Sequence, residues 1–366
     1  MANEYHRAID FATSQCRRLI GAHPGYTPMY TVGGKWNLEG ERWTHWCEGF
    51  YPGIFWLLHK STGDGFWRTH AEEYSRKLEP RRFDRNVHDL GFLFFSTYYR
   101  WWRLNGAERL KAILIDAGRT LALRRQVGGY LASFIGPESL FIDIMMNVGI
   151  ILWAASHSFD PVLREIALEH CRTTASFLVR ADGGTAHEGI FDIQTGEFQK
   201  ESTHQGHSAT STWTRGLAWA IYGFTAVHRL SGEREFLDVA ERCAECYLRR
   251  APDHLVPPWD FDASHGPKLW DSSAAAITAS GLFDLAEAVD LADDKNRYRN
   301  AACKILDTLC TDEFLARGRP EWEGILLHGV YHYHKKLGVD ESVAWGDHFF
   351  VEALVKAIAG KSEAAW

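Results

Sequence analysis

The strongest constraint in this sequence is an alternation of two kinds of helical segment, repeated six times. Six segments are apolar and aromatic nearly all round: GFYPGIFWLLHKSTGD (49–64), HDLGFLFFSTYYRWWRLNG (88–106), DIMMNVGIILWAASHS (143–158), WTRGLAWAIYGFTAVHRLSG (213–232), SSAAAITASGLFDLAEAVD (272–290) and WGDHFFVEALVKAIAG (345–360). Before each stands an amphipathic segment with one charged face, from EYHRAIDFATSQCRRLI before the first to YRNAACKILDTLC before the sixth. A helix apolar on every side has to be enclosed, and a helix with one charged face lies outside. Six outer–inner pairs therefore predict an all-α fold, a two-layer (α/α)6 toroid. The uneven spacing, roughly 40–70 residues per repeat, fits a closed ring with elaborated loops rather than an open solenoid. LFIDIMM (140–146) has strand-like composition, but its apolar continuation favours a helix from Asp143 onward. No Pro/Ser-rich linker or low-complexity tract interrupts the chain, so residues 1–366 read as one domain.

Charge and composition narrow the function classes. The formal net charge is −7 with no long basic run, which argues against nucleic-acid binding. No apolar run is long enough to span a membrane, and the N-terminus MANEYHRAIDFATSQ lacks the apolar core of a signal peptide. The seven cysteines are odd in number and scattered, as expected of reduced thiols in a cytoplasmic protein. Cys243 and Cys246 form a lone CxxC inside a helical stretch, and His332 and His334 lack a third ligand, so no metal is expected. No phosphate-binding loop, dinucleotide fingerprint or nucleophile elbow occurs, so no cofactor is expected either. The aromatic content is high, with 15 Trp, 13 Tyr and 21 Phe. Flat rings pack on the apolar faces of sugars, so this excess hints at carbohydrate.

In such a ring the N-terminal ends of the inner helices converge on one mouth. Polar residues at those ends are the candidates. Asp89 and Asp143 each precede a long apolar run. Either could simply cap its helix. As a pair on neighbouring inner helices they suit glycosidic chemistry, which commonly uses two acids, and burial would help one of them hold a proton. The densest constellation lies in STHQGHSATSTWTRGLAWAIYGF (202–224), where His204, Gln205, His207, Trp213, Arg215 and Trp219 fall together. Arg215 within an aromatic helix needs a carboxylate, supplied either by the protein or by a substrate. Trp46 precedes the first inner helix, and His187 lies in a loop. Asp260, Asp262 and Asp271 precede the fifth inner helix, where capping explains most of them. His334, Lys335 and Lys336 precede the sixth, as a solvated basic loop or as a loop that recognises an anionic sugar.

Taken in order, the blocks HWCEGFYPGIFWLLHKSTGD, HDLGFLF, the Asp143 segment, THQG with WTRGLAWAIYGF, PPWDFDA with DSSAAAI, and GVDESVAWGDHFF resemble the unsaturated glucuronyl hydrolases of glycoside hydrolase family 88. The resemblance covers nearly the whole chain and carries the same toroidal fold. It implies removal of a 4,5-unsaturated glucuronic acid from the non-reducing end of lyase-generated oligosaccharides, by hydration of the C4=C5 bond. It implies Asp143 as the acid that protonates C4 and then activates water, with Asp89 as its acidic partner. It further implies His187, Gln205 and Trp213 around the uronate, Arg215 as its carboxylate contact, and Trp46 and Trp219 as aromatic walls. The enzyme would act as a monomer or homodimer without a cofactor. The 330–338 loop departs from the Ser- and Lys-containing pattern of members that accept sulfated fragments. An unsaturated rhamnogalacturonyl hydrolase is the neighbouring alternative, which RGLAW and HQG disfavour. A sugar epimerase or isomerase using His187, His204 or His207 as base, and a non-catalytic ring that binds polysaccharide or protein, are the alternatives from other classes.

Overall fold

A computed structural model describes residues 2–39, 45–263 and 269–360. Twelve positions alternate around the ring. They are outer α1 (Ala2–Ala22) and inner α2 (Phe50–Thr62), then outer α3 (Gly65–Leu78) and a second inner helix. That helix is α4 (Leu90–Phe94), continued through a π-helical segment, Phe95–Tyr99, into α5 (Arg100–Asn105). Next come outer α6 (Glu108–Ala122) and inner α7 (Gly149–Ser158), then outer α8 (Pro161–Phe177) and inner α9 (Thr214–Ser231). Outer α10 (Arg234–Arg250) with inner α11 (Ser272–Ala288), and outer α12 (Ala292–Leu309) with inner α13 (Ala344–Ala359), complete the set. Each inner helix packs on the next, and α13 returns to pack on α2, so the ring closes. This is the (α/α)6 toroid.

The layer assignment follows from the side chains. In α10 the buried positions Phe236, Leu237, Ala240, Cys243, Ala244 and Tyr247 recur on one face, leaving its charges outside. In α11 every residue from Ser272 to Ala286 is buried. Helix starts are fixed locally. Asp64 accepts from the Phe66 amide at 2.9 Å, and Asp160 accepts from the Val162 amide at 3.0 Å with Pro161 in the first helical position. Asp271 caps α11 through the Ser273 and Ala274 amides. Residues 264–268 of the 257–276 segment lie outside the described residues.

The sequence reading is corrected in two places. The segment 143–158 is not one helix. Ser139–Phe141 is a strand, β3, Ile142–Met146 is a 3-10 turn, and α7 begins only at Gly149. The strand-like composition was therefore meaningful for its first residues. Strands are also more numerous than expected. β1 (Thr31–Val32) and β2 (Lys35–Trp36) form a hairpin; β3, β4 (Glu188–Phe191) and β5 (Phe198–Ser202) form a three-stranded antiparallel sheet; β6 (Gly329–His332) and β7 (Leu337–Glu341) form a second hairpin. The physical reason is backbone satisfaction. Loops packed beside the inner helices must pair their N–H and C=O groups, and short ladders do so. Among the described residues no helix is long and apolar enough to cross a membrane.

Candidate active site

The mouth is built by two close approaches and one sheet. Phe141 of β3 pairs with Glu188 of β4, and the Ile142 amide donates to the His187 carbonyl at 3.0 Å. This sets Asp143 beside His187. On the other side, α4 touches the Asp143 turn at Gly91, where a Cβ would stand 2.5 Å from Asn147 Cα. The fully buried Asn147 braces both elements. Its Oδ1 accepts from the Phe92 amide at 2.8 Å, and its Nδ2 donates to the Asp143 carbonyl at 3.1 Å. Two helix starts distant in sequence are thereby held against one cavity.

That cavity measures about 450 Å³, counting space open to solvent, and Trp46, Asp89, Asp143, Gln205, Trp213, Arg215 and Trp219 all line it. His187 stands behind this wall, with its ring 4.6 Å from both Phe141 and Trp213. Of the polar loop candidates His204 also lines the cavity, whereas others are engaged elsewhere: Asp260 accepts from the His207 amide and Ser211, Asp262 accepts from the Thr212 amide, and His334 bonds the Gly206 carbonyl.

Asp89 occupies the N-cap position of α4, yet its side chain makes no capping hydrogen bond. Burial, reinforced by the Asp143 charge, pushes its carboxyl up to about 8, against the opposing pull of Arg81 and Arg124. Asp143 lies in the first turn after β3, and its buried Oδ1 has no hydrogen-bond partner among the described residues. Capping thus accounts for neither carboxylate.

His187 Nδ1 accepts from the His204 amide at 2.9 Å and the Gln205 amide at 3.1 Å. An amide can only donate, so Nδ1 is bare and Nε2 carries the hydrogen. Nε2 faces Asp143 Oδ2 at 3.9 Å. A neutral imidazole held this way is a donor and not a base, which counts against the isomerase alternative at His187.

The sequence left two partners open for Arg215, and the protein itself supplies one. Its Nη1 lies 3.5 Å from Asp271 Oδ2 and donates to the Val330 carbonyl. Its Nη2 donates to the Tyr331 carbonyl at 2.9 Å and to Gln205 Oε1. The guanidinium lies between Trp213 and Trp345, 4.4 and 5.0 Å from their ring centroids. Arg215 therefore welds α9 to β6, and it still presents a buried positive charge to the cavity.

Sequence reasoning missed His88, Phe92, Phe134, Phe141 and Tyr331, which also line the cavity. His88 directly precedes Asp89 and was legible by adjacency. Tyr331 and Phe134 arrive from a hairpin and a loop, and no helical periodicity marks such positions.

The model of glycosyl hydrolase family 88 matches residues 28–249. The chain is 34% identical over 328 residues to an unsaturated glucuronyl hydrolase of Bacillus sp. strain GL1, covering 87% of each chain. It is 31% identical over 327 residues to an unsaturated chondroitin disaccharide hydrolase of Streptococcus pyogenes serotype M1, covering 86% of this chain and 81% of that one. The crystal structure of the Bacillus sp. GL1 unsaturated glucuronyl hydrolase, described as responsible for the degradation of glycosaminoglycan, superposes with a TM-score of 0.91 at 32% identity over 99% of both chains. The chain is a glycoside hydrolase, and it belongs to glycosyl hydrolase family 88.

Proposed function

We propose that this enzyme removes a 4,5-unsaturated glucuronic acid from the non-reducing end of glycosaminoglycan-type oligosaccharides by hydrating the C4=C5 bond. The observation that carries this reading is a pair of buried carboxyls, uncapped and facing one aromatic cavity that also holds a buried cation. A proton adds to C4 and water adds to C5. The C5 hemiketal opens by breaking its bond to the ring oxygen, leaving a ketone at C5 and a hemiacetal at C1. The hemiacetal then releases the aglycone as an alcohol.

Roles for the side chains follow. Asp143 delivers the proton to C4 and, as carboxylate, takes one from the attacking water. Asp89 is its acidic partner. Burial first, and then the Asp143 charge, raise the Asp89 carboxyl to about 8, so Asp89 holds a proton near neutral pH. Arg215 and Gln205 attract the uronate carboxylate. His187 supplies a fixed N–H donor. Trp46, Trp213 and Trp219 form the walls against the sugar faces. We take the enzyme to act as a monomer or a homodimer. The ring closure of α13 on α2 supports residues 1–366 as one catalytic unit, and seven free thiols fit a reducing cytoplasm.

The test is an ultraviolet assay of the enol-ether double bond across lyase products of chondroitin, hyaluronan, heparin, ulvan and gellan. Absorbance is expected to fall with at least one of them and saturated glucuronides to remain intact. Persistence of the absorbance across the panel contradicts the proposal.

A further inference from the structure

We propose that His88 is a positioning residue for this reaction: fixed as the Nε2–H tautomer by the Phe134 amide, it orients the Asp89 carboxyl and ties it to the cavity wall that carries Phe134. The inference rests on the reading of Asp89 given above.

His88 is buried and lines the cavity. Its Nδ1 accepts from the Phe134 amide at 3.0 Å. That donor fixes the tautomer and leaves the hydrogen on Nε2, which lies 3.3 Å from Asp89 Oδ1. Contacts of this kind are often long in an unliganded site and tighten around the substrate. Asp89 makes no capping bond that could hold its carboxyl instead. The ring is also gripped sideways, with Phe134 and Phe141 at 5.8 and 5.7 Å.

The wall behind His88 is itself rigidly held. Arg124 Nε donates to the Ala132 carbonyl at 2.6 Å, and its Nη2 donates to the Ser133 carbonyl. The buried His170 accepts from the Leu131 amide at 3.1 Å. Amides at 131 and 134 and carbonyls at 132 and 133 are thus all occupied, so the Phe134 amide is a fixed reference point for the imidazole. The charged and titratable groups facing His88 are Asp89, Asp143, Arg124, His187 and His170. Burial pushes His88 down to about 3, so it stays neutral throughout the working range and acts as a donor, never as an acid.

Two substitutions separate the two contacts. The Asn amide oxygen overlays Nδ1 of histidine, and the Gln amide nitrogen overlays Nε2. His88→Asn therefore keeps an acceptor for Phe134 and loses the donor to Asp89. His88→Gln keeps the donor. We expect His88→Asn to lower kcat about tenfold or more with KM nearly unchanged, and His88→Gln to retain most of kcat. Removing an N–H from a carboxylate disfavours its charged form, so the Asp89 limb of the pH profile of kcat/KM should move to higher pH in His88→Asn and stay in place in His88→Gln. A purely structural role would lower Tm in both variants without moving that limb. Normal kcat in His88→Asn, equal loss in both variants, or an unmoved limb overturns the proposal. If His88→Asn does not fold, a tenfold loss in folded His88→Gln does the same. Asp89→Asn separates the two levels. Full turnover in Asp89→Asn removes the underlying reading, whereas an inactive Asp89→Asn beside a fully active His88→Asn removes His88 alone.

Discussion

Two buried ionic clusters occupy the inside of the ring, and they differ in how completely their charges are met. The deeper one lies about two helical turns beyond the mouth along the inner helices. Lys356 Nζ is 2.9 Å from Asp284 Oδ2 and 3.2 Å from Glu352 Oε1. Tyr222 and Ser280 each donate to Glu352 Oε1 at 2.6 Å, Arg100 pairs with Oε2, and Arg229 Nη1 lies 3.0 Å from Asp284 Oδ1. Burial alone would raise the Glu352 carboxyl, but Lys356 and Arg100 hold it well below the usual range. At the mouth, Asp89 and Asp143 are also buried, yet among the described residues Asp143 Oδ1 has no hydrogen-bond partner and His187 stands 3.9 Å away. The same residue types serve two ends. A cluster whose carboxylate oxygens each meet a cation or a hydroxyl stabilises the ring. A cluster left incomplete keeps its capacity for a substrate and a proton.

The largest effect should come from breaking the incomplete cluster. Asp143→Asn should lower kcat about a hundredfold to ten-thousandfold while leaving substrate binding intact, measured by turnover and by calorimetric titration. Near-normal turnover would remove Asp143 from the chemistry.

The complementary break is Lys356→Ala. It strands Glu352 and Asp284 in the core and should cost about 3–5 kcal/mol in denaturant unfolding. At permissive temperature kcat should stay close to that of the parent enzyme. A fall in kcat without loss of stability would erase the distinction between the two clusters.

A subtler contrast is pH dependence. Asp89 titrates near 8 in the folded protein against 3.8 as the ordinary carboxyl value. Between those values the native state binds more protons than the unfolded state, so this group's contribution to stability is full below 3.8 and is lost as pH rises through about 8. Asp89→Asn removes the loss. Its unfolding free energy should exceed that of the parent by about 1–3 kcal/mol above pH 8, and the two should converge in acid. Parallel curves would mean that Asp89 carries no such penalty.

The smallest effect belongs to the rim. Trp46 is half-buried, with its ring 4.7 Å from Trp345. Trp46→Ala should raise KM about threefold to tenfold with little change in kcat, the scale of one aromatic contact.

The inner helices were legible because a helix buried on all sides leaves no polar face, and the amphipathic partners marked the outer layer. Asp89, Asp143 and Arg215 were legible as polar residues breaking into such runs. Lys356 and Glu352 were equally anomalous in WGDHFFVEALVKAIAG and passed unremarked, although their four-residue spacing puts them on one face. Asn147, Phe134 and Tyr331 were not legible, because their roles depend on which loop meets which helix across the mouth. The split of 143–158 was missed for the same reason. The three-residue ladder of β3 with β4, distant in sequence, ends at Phe141, and the chain passes through the Ile142–Met146 turn before α7 begins.

The most direct measurement follows double-bond absorbance and free aglycone together, from the first turnover, on an unsaturated disaccharide. Hydration at C4=C5 requires the double bond to vanish no later than the aglycone appears. Release of aglycone while the absorbance persists would mean displacement at the anomeric carbon, and would contradict the assignment of the mouth carboxyls to the double bond.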